Sequence, residues 1–271
     1  MSCMTIFLLV KDMQSFWKVW SAKTGKKVTS VNSINGKTDP VQVAELFKNK
    51  FEVCANKKSS ISSEGVSRPK SVVVELADQF SVEDVSFAFL NGLKCGKAPG
   101  VDNLTTEHIK YCHPGVIMHL CRLFNLILKH SYVPNEFGRG IIVPLIKDKN
   151  GDVCNSDNYR GITISPVISK LFEYCLMSKF GSFLYSSELQ FGFKKKLGCG
   201  PALFGVQHVV NYFISRGSPA YITSVDASKA FDRIDHNKLF NKLYARNAPS
   251  CFVEVVKKLV QQVILVCQME W

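Results

Sequence analysis

The stretch Ser224-Val225-Asp226-Ala227-Ser228-Lys229-Ala230-Phe231-Asp232-Arg233-Ile234-Asp235-His236 constrains this chain more than any other. A short apolar run over 220–226 predicts a strand that ends on a carboxylate, small residues follow, and a helix is predicted over about 236–246. A strand, a tight turn and a helix in that order belong to mixed α and β architectures. The order also suits two-metal phosphoryl transfer, which needs a carboxylate on rigid backbone to bridge the cations and a backbone able to approach triphosphate oxygens. Asp226 meets the first need and the 227–230 turn the second. An aspartate ahead of a helix is also an ordinary cap, so the rest of the chain must decide.

Charge narrows the choice. With 34 Lys and Arg against 22 Asp and Glu, the net charge is +12, which favours a polyanionic partner, nucleic acid above all. A membrane is disfavoured, since the longest apolar runs, 6–10 and 263–267, fall far short of the roughly 18–20 residues that cross a bilayer. The first residues carry no basic region of a signal peptide. The ten cysteines form no Cys-x-x-Cys pair, which suits free thiols in a reducing, intracellular setting, cytoplasm or nucleus, rather than a secreted one. His108, Cys112, His113, His119 and Cys121 form the one cluster with metal-ligand character. Its spacing lacks the tight repeated pairs of structural zinc sites, and a helical segment with small buried thiols is the plainer reading.

Along the chain, Phe16, Trp17 and Trp20 stand at helical spacing. Asp39-Pro40 predicts a cap and first turn for a helix to about Val53, and the serine-rich 59–71 stretch predicts a linker. A capped helix is predicted from Ser81 to about Gly92, then a turn at Lys97-Ala98-Pro99-Gly100-Val101-Asp102, then a helix over about 115–131. Residues 140–147 and 159–164 predict a two-stranded ribbon around Lys149-Asn150-Gly151-Asp152, with Lys147 on one arm and Arg160 on the other. Helices are predicted over about 166–184, 201–215 and 249–267. Between the first two lies the loop Gln190-Phe191-Gly192-Phe193-Lys194-Lys195-Lys196. A basic ribbon, a Gly and Lys loop and a strand-end aspartate, in that order, bring together cations for phosphates and a carboxylate for metal. Each alone has a plain explanation as solvated surface.

Five stretches in this order resemble the reverse transcriptases of non-LTR (LINE-type) retrotransposons, nearest in wording to CR1, L2 or jockey-like elements. They are Lys97 to Asp102, Ile141 to Lys149, Asn158-Tyr159-Arg160-Gly161-Ile162-Thr163, Leu189-Gln190-Phe191-Gly192-Phe193, and Asp226 to Asp232. Weaker similarity reaches back to 16–20. The resemblance implies an α/β (α+β), helix-rich, right-hand polymerase fold: 1–80 as an extension ahead of the polymerase, 81–271 as its fingers and the first part of its palm. It implies Asp226 as the first catalytic and metal-binding aspartate, with the Ala227 carbonyl as a further ligand. Lys229 and Ala230 would offer N–H groups to the triphosphate, and Phe231 would be the steric gate against a ribose 2′-OH. Lys147 and Arg160 would hold incoming phosphates; Lys97, Gln190, Lys194, Lys195 and Lys196 would meet nucleic acid.

Partners implied are an RNA template, a DNA primer and deoxynucleoside triphosphates, with Mg²⁺ as cofactor of the complete enzyme. The family's aromatic-x-Asp-Asp hairpin, thumb and endonuclease have no counterpart here, and the one adjacent acidic pair, Glu83-Asp84, lies upstream. The chain is therefore expected to be a truncated polymerase that does not polymerise by itself, with a non-catalytic nucleic-acid-binding fragment or a non-functional pseudogene product as alternatives. Gly161 replaces a common proline, and 194–200 departs from the usual Gly/Arg/Ser/Thr pattern. Nothing in the sequence speaks to oligomeric state.

Overall fold

The computed structural model describes residues 33–55, 74–148, 150–194, 196–227, 230, 234–261 and 264–267. The 16–20 aromatics, the 59–71 stretch, Lys195, Lys229 and Phe231 lie outside these residues. In chain order the elements are α1 (Pro40–Ala55), α2 (Val82–Gly92), α3 (Thr106–Lys110), α4 (Gly115–His130), β1 (Arg139–Ile146), β2 (Tyr159–Ile164), α5 (Val167–Phe180), α6 (Cys199–Ile214), α7 (His236–Ala245), α8 (Ser250–Gln261) and β3 (Ile264–Cys267).

Local chemistry places the helix starts. The Gln42 N–H donates to Asp39 Oδ2 at 3.2 Å, so Asp39 caps the first turn of α1 as the Asp-Pro pair predicts. At α2, Ser81 and Asp84 form a capping box: the Asp84 N–H donates to Ser81 Oγ, and the Ser81 N–H to Asp84 Oδ2. Lys179 of α5 reaches the same carboxylate at 3.4 Å. Burial pushes Asp84 up, but the Ser81 backbone bond and the Lys179 ammonium outweigh it and hold the carboxyl below its ordinary range.

The main core joins α2, α4, α5, α7 and α8 around phenylalanines. Phe80 meets Phe124, Phe172 and Phe180 edge-on with ring centroids 6.3–6.4 Å apart, and Phe180 stacks on Phe252 at 4.7 Å. Such tilted and offset pairs add to the burial of the rings themselves. A second, smaller core lies under the ribbon, where Phe47 of α1 meets Tyr159 of β2 edge-on at 5.1 Å beside Ile34 and Val43. Residues 34–55, expected in an extension ahead of the polymerase, thus pack directly on the ribbon.

The sheet has three strands in the order β2-β1-β3. β1 and β2 pair antiparallel, with Leu145 opposite Arg160 and Ile146 opposite Tyr159, as the sequence predicts. β3 pairs parallel to the other edge of β1, Arg139 opposite Ile264. The helix predicted over 249–267 therefore ends at Gln261, and its last residues form a strand. A short apolar run such as Ile264-Leu265-Val266 carries no period that separates helix from strand, and the free edge of β1 decides it.

Candidate nucleotide and nucleic-acid site

Alternation along the ribbon sorts its residues to two sides. Tyr159, Gly161, Ile142 and Ile146 belong to the side under α1, where Ile142 is buried. A Cβ on Gly161 would stand 3.0 Å from Ile142 Cγ2 and 3.2 Å from the Phe51 ring, so α1 lies closely over this side. Arg160, Ile162 and Leu145 belong to the opposite side, which is open: Leu145 is 49% and Ile162 43% exposed. Lys147, two residues beyond Leu145, continues that side, so the two cations are diagonal neighbours across the ribbon. The Lys147 N–H donates to the Asn158 carbonyl at 2.7 Å, and its Nζ to the Asp157 carbonyl at 2.9 Å. A surface with cations beside apolar side chains suits a ligand with phosphates and a sugar or base.

The Lys97 turn lies against the end of this ribbon. Gly100 is buried, and a Cβ there would stand 3.0 Å from Pro166 Cα and N, just past β2. Only a residue without a side chain lets the two backbones meet so closely. Lys97 is exposed beside this contact.

In the 190–196 loop, part of the polar inventory serves the loop itself. Gln190 Nε2 donates to the Gly192 carbonyl at 3.1 Å, and Lys194 Nζ to the Ser187 carbonyl at 2.7 Å. Phe193 and Lys196 hold left-handed backbone at φ 59° and 62°, a conformation that non-glycine residues adopt at a cost. Both are exposed.

The region after this loop departs from expectation. The strand predicted over 220–226 does not form: the segment has no ladder partner among the described residues, and Tyr221, Ile222 and Val225 are 92%, 68% and 94% exposed. A strand needs a neighbouring edge for its N–H and C=O groups, and this segment docks on neither of the sheet's outer edges, those of β2 and β3. Asp226 and Ala227 therefore sit exposed in irregular chain, and so does Ala230 beyond them. The helix after them does form, but Asp235 caps it, accepting from the Lys238 N–H at 3.1 Å.

The histidine and cysteine cluster also dissolves. His108 Nδ1 accepts from the Thr105 N–H, His113 Nδ1 from the Gly115 N–H, and Cys112 Sγ lies 2.8 Å from the Ile109 carbonyl. These are local caps and turns. Among the described residues no three His, Cys, Asp or Glu side chains gather as a metal would require. The described cysteines 95, 112, 121, 154, 175, 199 and 251 are free thiols. No helix among the described residues is long and apolar enough to cross a membrane.

Sequence reasoning missed α1 as a wall of the ribbon. Lys50 of α1 reaches Asp157 Oδ1 at 2.7 Å and Ser156 Oγ at 3.3 Å, 107 and 106 residues away. The apolar spacing of Val43, Phe47 and Phe51 signalled a buried helix face but carried no information about what covers it.

Residues 146–271 match the reverse transcriptase (RNA-dependent DNA polymerase) family. The chain is 25% identical over 178 residues to a putative 115 kDa protein in the type-1 retrotransposable element R1DM of Drosophila melanogaster, covering 65% of this chain and 17% of that one. It is 27% identical over 183 residues to the RNA-directed DNA polymerase from mobile element jockey of Drosophila funebris, 65% of this chain and 19% of that one. A retrovirus-related Pol polyprotein from the type-2 retrotransposable element R2DM of Drosophila melanogaster is 26% identical over 162 residues, 59% of this chain and 15% of that one. The chain thus spans less than a fifth of the length of these relatives.

Proposed function

We propose, since residues 146–271 carry reverse transcriptase sequence of the non-LTR retrotransposon kind, that the ribbon and the turns around it form the phosphate-holding side of an RNA-directed DNA polymerase site. The observation that carries this reading is the pairing of Lys147 and Arg160 on the open side of a ribbon whose other side α1 covers. Two cations at fixed spacing on a two-stranded scaffold can hold a triphosphate, while Leu145 and Ile162 supply apolar surface beside them. Lys97, beside the Gly100 contact, Lys194 and Lys196 extend the positive surface along which an RNA template and DNA primer would lie.

Asp226 takes the role of the first metal-binding aspartate, and the Ala227 carbonyl that of its neighbour ligand. In the family's pattern Lys229 and Ala230 would offer N–H groups to the triphosphate, and Phe231 would be the gate against a 2′-OH. A bound Mg²⁺ would neutralise charge developing on the phosphates. Asp226 fits such a cation as one ligand, and the described residues do not complete a two-cation set. On this reading the 271-residue chain binds nucleic acid and triphosphate.

The test is binding of a labelled single-stranded RNA by the 271-residue chain across a salt series, read by fluorescence anisotropy. Affinity should fall with salt at about −0.7 in log–log slope per neutralised phosphate. Lys97→Ala should reduce that slope by about one phosphate. A flat salt response, or a slope indifferent to Lys97, removes this surface from nucleic-acid binding.

A further inference from the structure

We infer that Asn158 is a positioning residue for Lys147 of the cation pair, its side-chain amide acting as an extra rung that closes the ribbon beyond its last backbone pair. The inference rests on reading Lys147 and Arg160 as phosphate ligands. The regular ladder ends at Ile146 opposite Tyr159, and Lys147 stands one residue past it. There Asn158 takes over. Its Oδ1 accepts the Asp148 N–H at 3.0 Å, and its Nδ2 donates to the Asp148 carbonyl at 2.8 Å. Exchange of both backbone groups of one residue is what a facing residue does in an antiparallel ladder; here a side chain does it. The second Nδ2 hydrogen reaches the Asp152 carbonyl at 3.2 Å and draws the returning arm of the loop onto the same amide.

The consequence falls on Lys147. Its N–H already donates to the Asn158 carbonyl at 2.7 Å, so main chain and side chain of Asn158 grip residues 147 and 148 in succession. Arg160 follows Asn158 by two residues but is already fixed by the regular ladder opposite Leu145, so what Asn158 adds falls on the Lys147 arm. The far side of the loop is anchored separately: Asn35 exchanges bonds with Ser156, 3.0 Å from its Nδ2 to Ser156 Oγ and 2.9 Å from the Ser156 N–H to its Oδ1. Lys50 holds Ser156 and Asp157 from α1.

Residue type matters at position 158. Aspartate keeps the acceptor but loses both donors and sets a negative charge against two carbonyl oxygens; alanine loses every rung. A tip released in this way leaves Lys147 to be ordered at the expense of binding, which is the cost that preorganisation removes.

The experiment uses the 271-residue chain with a fluorescent deoxynucleoside triphosphate as probe and inorganic tripolyphosphate as competitor. Asn158→Ala and Asn158→Asp should each weaken probe binding about ten-fold, as should Lys147→Ala and Arg160→Ala. The double variant Asn158→Ala/Lys147→Ala should be no weaker than Lys147→Ala alone, because Asn158 acts through Lys147; a merely structural role would give additive losses. Amide exchange at Asp148 should accelerate at least about ten-fold in both Asn158 variants, the protection of local bonds being lost. Should Asn158→Ala fail to fold, Asn158→Asp, nearly isosteric, carries the same expectations. Unchanged probe affinity in the Asn158 variants, while Arg160→Ala weakens it, overturns the inference and leaves the site reading standing; so do additive losses in the double variant. Binding indifferent to Lys147 and Arg160 overturns the site reading, and the inference falls with it.

Discussion

Two helices of sixteen residues each, α4 and α6, have abundant apolar side chains and opposite fates. α4 buries Leu120, Cys121, Phe124, Ile127 and Leu128 against α2, α5 and α8. α6 buries none of its residues: Leu203, Phe204 and Val209 are 66%, 64% and 57% exposed. The patterns differ. In α4 the apolar residues form a stripe at helical spacing with Arg122 and Lys129 off it, whereas α6 is apolar nearly all round. A helix apolar on every side is one that a surrounding core covers, and none of the described elements covers α6. Hydropathy therefore says that a surface seeks burial and does not say what buries it. The same holds for 221–227, where Asp226 and Ala227 share the exposure of α6.

The largest test of this contrast is truncation of one ring in each helix. Phe124→Ala should cost about 3–5 kcal/mol in urea unfolding, because it empties a site in the middle of the phenylalanine cluster. Phe204→Ala should stay within about 0.5 kcal/mol, as exposed substitutions do. A large loss at Phe204 would show that α6 is covered in solution and would break the comparison.

Thiol chemistry sharpens it next. Burial, with Asp84 nearby, pushes the Cys175 thiol up to about 12, while Cys199 at the start of α6 is exposed. With a disulfide reagent near pH 8, Cys199 should react at least about ten-fold faster, since the reagent reaches it while burial holds Cys175 as the thiol and the thiolate is the nucleophile. Mass spectrometry of time-quenched peptides reads both sites at once. Comparable rates would mean that the α2–α5 interface opens as readily as α6.

The smallest effect is expected at two glycines of the motif turns. Gly100→Ala must move either Pro166 or its own loop, and a loss of about 1–3 kcal/mol should appear as a lower melting temperature. Gly192, with nothing within 4 Å of where a Cβ would stand, should accept alanine with little change. Equal tolerance at both would break the link between the Lys97 turn and the ribbon.

Most helices were legible because their signals are local. The Ser81 and Asp84 capping box, the Asp39-Pro40 start and the stripe from Leu120 to Leu128 each lie within a few turns of the residues they govern. The ribbon was legible for the same reason: Asn150-Gly151 sits at its tip and the two arms are close in sequence. The strand ending on Asp226 was not, although its apolar residues were read correctly. Pairing, unlike capping, needs an edge supplied from elsewhere.

By itself the sequence determined where most helices start, that the two ribbon arms extend, which residues carry charge, and the similarity of residues 146–271 to reverse transcriptases. Tertiary structure alone decided that β3 takes the second edge of β1, that α1 covers one side of the ribbon and leaves Lys147 and Arg160 on the other, and that Asn158 closes the tip. The division follows from range. Torsional preference, capping and side-chain period act over three or four residues and are written beside the residues they shape. An edge, a wall or a rung depends on groups that sequence separation hides until the chain has folded.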